Sequence, residues 1–466
     1  MKIEQIYTKC LSQGTYYIES NGEAAIIDPL RETQPYLDRL EKGNVQLKYI
    51  FETHFHADFV SGHLDLSQIT LAPIIFGPMA EPNFNAIIAK DNQIFEIGNI
   101  KIKVIHTPGH TLESVCYLAI DENGVETALF SGDTLFLGDV GRPDLAQKGE
   151  DITQEYLAGL LYDSLYNKIL PLSDDIMVYP AHGSGSACGK NMMKETLDTL
   201  GNQKKVNYAL NQSSKENFIE AVLEGLTSPP AYFGMNVHFN KKGYNNFEIN
   251  KSKSLNPLST EELELISLDQ NVMILDTRSS EEFSQGFIPK SIHIGLDGEF
   301  APWVGEIIEN VSQKIVLISD NGREEEAITR LARIGFDNVI GYLQYGFQAW
   351  VESGRKIETI RKITAEEFER LLDVEKKIIL DVRRESEFRS GHLENAINKP
   401  LEAIHQWLKE LSMDKPFFLH CAGGYRSSIA ASILYSHGFT NLHELEGGLS
   451  AISKTKVTII ERSCRA

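Results

Sequence analysis

Two stretches of this chain repeat each other, and a repeat commits a chain to building one folded unit twice. "NVMILDTRSSEEFSQGFIPKSIHI" (271–294) matches "KKIILDVRRESEFRSGHLENAINK" (376–399). Asp276, Arg278, Glu282, Phe283 and Gly286 pair with Asp381, Arg383, Glu387, Phe388 and Gly391 at one constant offset of 105 residues. Downstream, "LARIGFDNVIGYLQYGFQAW" pairs loosely with "LYSHGFTNLHELEGGLSAI". Each copy opens on an apolar strand ending in Asp. Each later carries a second apolar strand, "KIVLIS" or "PFFLHC", then a tight turn and a helix. That order predicts two α/β units with parallel sheets and helical crossovers.

The N-terminal part reads differently. Short strands dominate: "GTYYIES", "EAAIID", "LKYIFET", "IKIKVIH", "SVCYLAI" and "TALFSG". Helical patterns fall at 33–42, 58–69, 154–168 and 189–222, and residues 225–260 read as turn and linker. A length of 466 residues fits about three domains at roughly 150 residues each. The boundaries are placed to give 1–255, 256–357 and 358–466. The formal charge of −20 argues against nucleic-acid partners held by bulk electrostatics. No apolar run reaches the length of a membrane span, and "MKIEQIYTKC" lacks the apolar stretch of a signal peptide. The five cysteines are far apart and odd in number, as expected of reduced thiols in a cytoplasmic protein. Oligomeric state is left open.

Four segments carry metal-binding chemistry: "THFHADF" (53–59), "TPGHT" (107–111), "SGDTLF" (131–136) and "YPAHGSG" (179–185). Each places His or Asp just after a predicted strand, where turns at one sheet edge can converge on an ion. A lone HxH among thirteen histidines is weak evidence, whereas four such segments in this order form a specific set. His63 and His106 read as packing or surface residues outside the site.

As a set, the segments resemble the metallo-β-lactamase superfamily. The resemblance implies an αββα sandwich with the metal at one sheet edge, followed by the two parallel-sheet domains. His54, His56, His110 and Asp133 would surround a first metal position. Asp58, the residue at 59 and His182 would build a second, with Asp133 shared. Phe59 cannot ligate, so Asp58 and His182 alone make a poor cage and one metal is expected. Two histidines and one carboxylate on one face suit Fe(II). "THFHADFVSGH", "HTPGHTLES", "GDVGRPDL" and "YPAHGSGSACGKN" resemble the persulfide dioxygenase branch, especially members fused to rhodanese domains. That implies one Fe(II) per chain on His54, His110 and Asp133, with Zn as a substitute. His56, Asp58 and His182 become supporting groups or second-metal candidates, and Arg142 sits near a thiol cosubstrate. Cys188, shortly after His182, is a candidate to approach the pocket; Cys10, Cys116 and Cys464 are not.

The repeats resemble rhodanese domains, and "LHCAGGYRSS" (419–428) resembles their active loop. Cys421 follows a strand, Gly423 and Gly424 permit a tight loop, and a helix starts near Arg426. Backbone N–H groups and a helix N-terminus favour a sulfur anion there. Cys421 is the expected sulfur-carrying nucleophile, with Arg426, Gly423 and Gly424 holding the anion. The first copy reads "LISDNGREEEA" (317–327), and no cysteine occurs between 189 and 420. Ungapped alignment puts Ile318 opposite Cys421, so that copy is expected to be inactive. Asp381 and Arg383 read as structural.

The whole implies oxidation of a small-thiol persulfide (glutathione or another thiol) by O₂ to sulfite, coupled to sulfur transfer through Cys421 with sulfite or thiosulfate as partners. Two rivals stand: a two-metal, glyoxalase II-like thioester hydrolase, and a sulfur-binding module without turnover.

Overall fold

The computed structural model describes residues 1–146, 152–226, 228–372 and 378–461. Cys464, and the Lys376–Lys377 start of the second repeat, lie outside them. The chain forms two compact units, Met1–Glu248 with Ala332–Gly335, and Ile249–Leu331 with Phe336–Ala466.

The first unit holds two six-stranded sheets. In one, the strands follow chain order from Lys2–Thr8 to Ile87–Ile88; the first three are antiparallel and the rest parallel. The other runs from Ile94–Ile97 through Ile100–His106, Val115–Ile120 and Glu126–Gly132 to Met177–Pro180 and Asp198–Thr199. Period-two alternation decides which residues face where. Tyr16, Ile18, Ile27 and Phe51 of the first sheet pack against Phe95, Ile102, Val104, Tyr117 and Phe130 of the second. The opposite face of the first sheet, through Tyr17, Ile26 and Ile50, packs on Tyr36 and Leu40 of helix Gln34–Gly43 and Leu66 of helix His63–Thr70. Leu118, Leu129 and Val178 of the second sheet meet Leu161 and Phe218 on helices Gln154–Ser164 and Lys215–Leu223. The layers are αββα, and both faces of each sheet are apolar because both are covered.

Three expectations change. The helix expected over 58–69 begins only at His63, because residues 54–62 form the turn that delivers the metal-site side chains. The helix expected over 189–222 is three short pieces, Leu200–Val206, Tyr208–Asn211 and Lys215–Leu223. Thr199, Asn207 and Ser214 each accept a backbone N–H from the following turn, so polar N-caps restart the helix three times. The segment 225–260, read as linker, contains helices Phe233–Lys242 and Phe247–Ser254.

The second unit contains two five-stranded parallel sheets of the same topology. The strand order is Pro257–Leu258, Val339–Leu343, Lys314–Ile318, Val272–Asp276, Ile292–His293 in one, and Arg361–Ile363, Leu442–Leu445, Phe417–His420, Ile378–Asp381, Ala396–Asn398 in the other. The repeated Asp, Arg and Gly have one shared task. Arg278 pairs with buried Asp276 at 2.6 Å and donates to Gly286 O at 2.8 Å; Arg383 does the same with Asp381 and Gly391 O, both at 2.7 Å. Each pair ties a strand end to the close of the following helix. Among the described residues no helix is long and apolar enough to cross a membrane.

Candidate metal centre and cysteine loop

The turn after strand Gln46–Phe51 carries His54, His56 and Asp58, and its shape is fixed by buried polar groups. Asp28, at the end of the neighbouring strand, accepts Thr53 N–H at 2.7 Å and the Thr53 hydroxyl at 2.9 Å. Thr53 Oγ1 lies 3.0 Å from His54 Nδ1, which leaves Nε2 for the site. Asn240, on helix Phe233–Lys242, donates to His56 O at 2.8 Å and Phe59 O at 2.7 Å and accepts from Ser61 N–H. A segment read as linker therefore clamps the metal turn.

The other ligand candidates come from the second sheet. His110 Nδ1 lies 2.9 Å from Arg142 O; a carbonyl only accepts, so Nδ1 carries the proton and Nε2 faces the site. Gly141 is required there, since a Cβ on it would stand 1.9 Å from Asp133 O and 3.1 Å from the His110 ring. Asp133 bridges two groups of donors. Its Oδ2 lies 3.5 Å from His110 Nε2 and 4.0 Å from His54 Nε2, and its Oδ1 lies 3.6 Å from His182 Nε2.

The donors gather into overlapping sets, all buried. His54, His110 and Asp133 form one, His56, Asp58 and His182 a second, and Asp133, His182 and Cys188 a third. Both Asp133 oxygens, both His182 nitrogens and Asp58 Oδ1 are buried without a hydrogen-bond partner. Unpartnered buried oxygens and ring nitrogens are costly unless a cation fills the space between them, so these residues fit a metal. Burial, helped by the nearby rings of His56, His110 and His182, holds His54 well below its ordinary range. A neutral imidazole is what a metal requires. Burial, with the carboxylates of Asp58 and Asp133, pushes the Cys188 thiol up.

His56 leaves the first set, where the superfamily pattern would put it, and groups with Asp58 and His182, the three residues expected as supporting or second-metal candidates; it groups also with Asp28 and Glu52. Phe59, fully buried, stacks on the His56 ring at 4.3 Å. His56 Nε2 lies 3.1 Å from Asp28 and 3.3 Å from Glu52, out of line for hydrogen bonds, so these contacts are ionic. Burial alone would lower this histidine, but the two carboxylates outweigh it and hold it well above its ordinary range. His63, expected to be incidental, is buried with Nδ1 at 3.2 Å from Glu52. His106 ends its strand with a contact to Leu112 O. Arg142, expected near a thiol cosubstrate, has its guanidinium bidentate on Asp144 at 2.7 and 2.6 Å. Its visible service to the site is its carbonyl.

In the second unit, Cys421 follows strand Phe417–His420 directly and is buried. Its Sγ accepts Gly424 N–H at 3.1 Å, and Gly424 takes the left-handed φ of +107° that the turn into helix Tyr425–Ser436 needs. A second glycine loop presses on the first: a Cβ on Gly448 would stand 2.4 Å from Cys421 O. Gly423 has open space where a side chain would be, on the loop expected to receive an anion. Arg426, expected to hold that anion, is paired with Glu387 at 2.5 and 2.8 Å. In the first copy the sheet register corrects the ungapped alignment. Asp276 pairs with Ile318 and Asp381 with His420, so Ser319, not Ile318, stands where Cys421 stands. The loop is one residue shorter before its arginine.

A two-sheet sandwich with a buried His/Asp centre, followed by two copies of a parallel α/β domain, defines the class. The Metallo-beta-lactamase superfamily model matches residues 9–182, and the Rhodanese-like domain model matches 259–353 and 364–455. The chain belongs to the metallo-beta-lactamase superfamily and carries two rhodanese-like domains. It is 33% identical to a metallo-beta-lactamase of known structure from Staphylococcus aureus, with a TM-score of 0.64, over 74% of this chain and 98% of that one. It is 30% identical to a probable hydroxyacylglutathione hydrolase of Schizosaccharomyces pombe, over 39% of this chain and 69% of the relative. The structure of ETHE1 from Myxococcus xanthus matches at 25% identity and a TM-score of 0.44, over 52% of this chain and 98% of that one.

Proposed function

We propose that the first unit oxidises a low-molecular-weight persulfide with O₂ to sulfite, and that the second moves sulfane sulfur through Cys421. The balance is R–S–SH + O₂ + H₂O giving R–SH and sulfurous acid, which ionises to sulfite. One Fe(II), held by His54, His110 and Asp133, supplies the redox chemistry when bound. The residues of the chain supply geometry. Thr53 and the Arg142 carbonyl fix the two imidazoles with Nε2 inward. Asp133 brings the carboxylate that completes a three-donor face. Burial excludes bulk water from a reactive sulfur. At Cys421, the thiolate attacks the outer sulfur of a donor, one S–S bond breaks and one forms, and the donor thiolate leaves with the bonding pair.

The observation that carries this reading is Phe59, a buried ring stacked on His56 where the family pattern has a nitrogen donor. It weakens the second metal position and leaves the first complete. Cys421 adds support, since thioester hydrolysis has no use for a sulfur carrier.

A second reading, a two-metal glutathione-thioester hydrolase, is favoured by the hydroxyacylglutathione hydrolase relatives and by the His56, Asp58 and His182 set. One experiment separates them. The protein is purified without oxygen, its metal counted, and both glutathione persulfide and a glutathione thioester are offered. Iron-dependent oxygen uptake with the persulfide supports oxidation. Zinc-dependent thioester cleavage without oxygen uptake overturns it.

A further inference from the structure

The strand Leu442–Leu445 carries an acid where an apolar residue would fit. Glu444 is buried, with only 1% of its surface exposed, on the strand next to the edge of the parallel sheet, paired with Leu419 on one side and Lys362 on the other. Its Oε1 accepts the Ser427 hydroxyl at 2.8 Å, and its Oε2 has no hydrogen-bond partner. Ser427 Oγ lies 3.6 Å from Cys421 Sγ and 3.0 Å from Gly424 O. The hydroxyl proton thus has two claimants, a carboxyl and a carbonyl, while the Cys421 thiol donates to the same oxygen; once ionised, the sulfur becomes a third claimant.

The first copy is a control within the same chain. Sheet register puts Tyr342 opposite Glu444, since Leu317 pairs with Tyr342 as Leu419 pairs with Glu444. Ser319 replaces Cys421, and the helix register, matching Gly335–Phe336 to Gly438–Phe439, puts Glu324 at Ser427. The copy without the cysteine has lost the serine and the buried acid as well.

We propose that Glu444 is a positioning residue for Cys421, deciding through Ser427 whether a hydroxyl proton points at the sulfur. The proposal rests on the reading of Cys421 as the sulfur carrier. When Glu444 is protonated, its O–H donates to Ser427 Oγ, and the Ser427 proton is free for a thiolate or persulfide on Cys421. When Glu444 ionises, the carboxylate takes that proton and adds a buried negative charge one hydroxyl away from the sulfur anion. Both changes disfavour the anion. Burial pushes the Glu444 carboxyl up to about 7, so the change falls in the neutral range. The charged groups facing Glu444 are Lys362, which opposes the rise, and Glu281 and Glu446, which add to it. Lys362 is itself directed at Ser280 and Glu281.

The test is the pH profile of Cys421 alkylation by iodoacetamide in the full chain, read by mass spectrometry of the Cys421 peptide. Glu444→Gln keeps the shape and removes the charge, so its midpoint should fall by about one pH unit, equivalent to about tenfold faster alkylation below the midpoint. Glu444→Leu should shift it the same way and serves if the glutamine variant does not fold. Ser427→Ala removes the donor and should raise the midpoint. Unchanged or raised midpoints in both Glu444 variants would overturn the proposal. Sulfur uptake by wild-type Cys421 from thiosulfate is measured in parallel. If there is none, the sulfur-carrier reading fails, while the alkylation profiles still decide the role of Glu444.

Discussion

His293 offers a quantitative test of the second unit's architecture. It is fully buried, with Nε2 at 2.9 Å from Arg278 O and Nδ1 at 3.0 Å from the Ser428 hydroxyl on the helix that follows Cys421. The carbonyl only accepts, so Nε2 carries the proton and Nδ1 receives the Ser428 hydrogen; the ring is neutral. Burial pushes this histidine down to about 4. Between pH 6.5 and 4 the unfolded chain binds a proton here that the folded chain refuses, so stability is lost on acidification. A shift of about 2.5 units corresponds to about 3 kcal/mol by pH 4, or about 1.4 kcal/mol per pH unit on the way. Glu444 acts with opposite sign. Raised to about 7, it lets the folded state bind an extra proton below that pH, so acidification favours the fold. The wild-type slope is therefore a partial cancellation, and the difference against His293→Asn isolates the histidine. The assay is urea unfolding of the full chain followed by tryptophan fluorescence. All three tryptophans, Trp303, Trp350 and Trp407, lie in the second unit, so the signal reports that unit alone. The asparagine variant should lack the acid-side loss of about 3 kcal/mol. Parallel loss in both proteins between pH 6.5 and 4 would refute the reasoning.

Other predictions address the sites directly. Cys421→Ser should abolish sulfur transfer and leave persulfide oxidation by the first unit intact; loss of oxidation would contradict the division of labour. Phe59→His should raise zinc from one toward two per chain, read by elemental analysis of protein refilled with excess metal; two zincs in the wild type would contradict the one-metal reading. Asp381→Asn leaves Arg383 buried opposite a neutral amide and should cost about 3 kcal/mol or more of second-unit stability by the same fluorescence assay, and no measurable cost would contradict a buried pair.

The repeat made the second unit's topology legible, because each conserved position has a local job: strand end, helix cap, clamp on a carbonyl. The His and Asp ligand candidates were legible because a metal site needs specific donors after specific strands. What could not be read depends on contacts between distant segments. Asn240 holds the metal turn across more than 180 residues from a segment whose composition looked like linker. Asp28 and Glu52 draw His56 into an ionic cluster, and neither belongs to a metal-binding spacing. Arg426 finds Glu387 and Arg142 finds Asp144, so two arginines read as anion binders have internal carboxylates. The one-residue difference between the cysteine loop and its counterpart is invisible without the sheet register that aligns Ser319 with Cys421.

The central claim is oxygen chemistry on persulfide sulfur at the His54, His110 and Asp133 centre. It is tested most directly by iron-loaded protein given glutathione persulfide in an oxygen electrode, with sulfite trapped and counted. The account predicts one O₂ consumed for each sulfite formed, with uptake lost in Asp133→Asn. Persulfide left unoxidised by iron-replete protein, with no oxygen uptake, would contradict it.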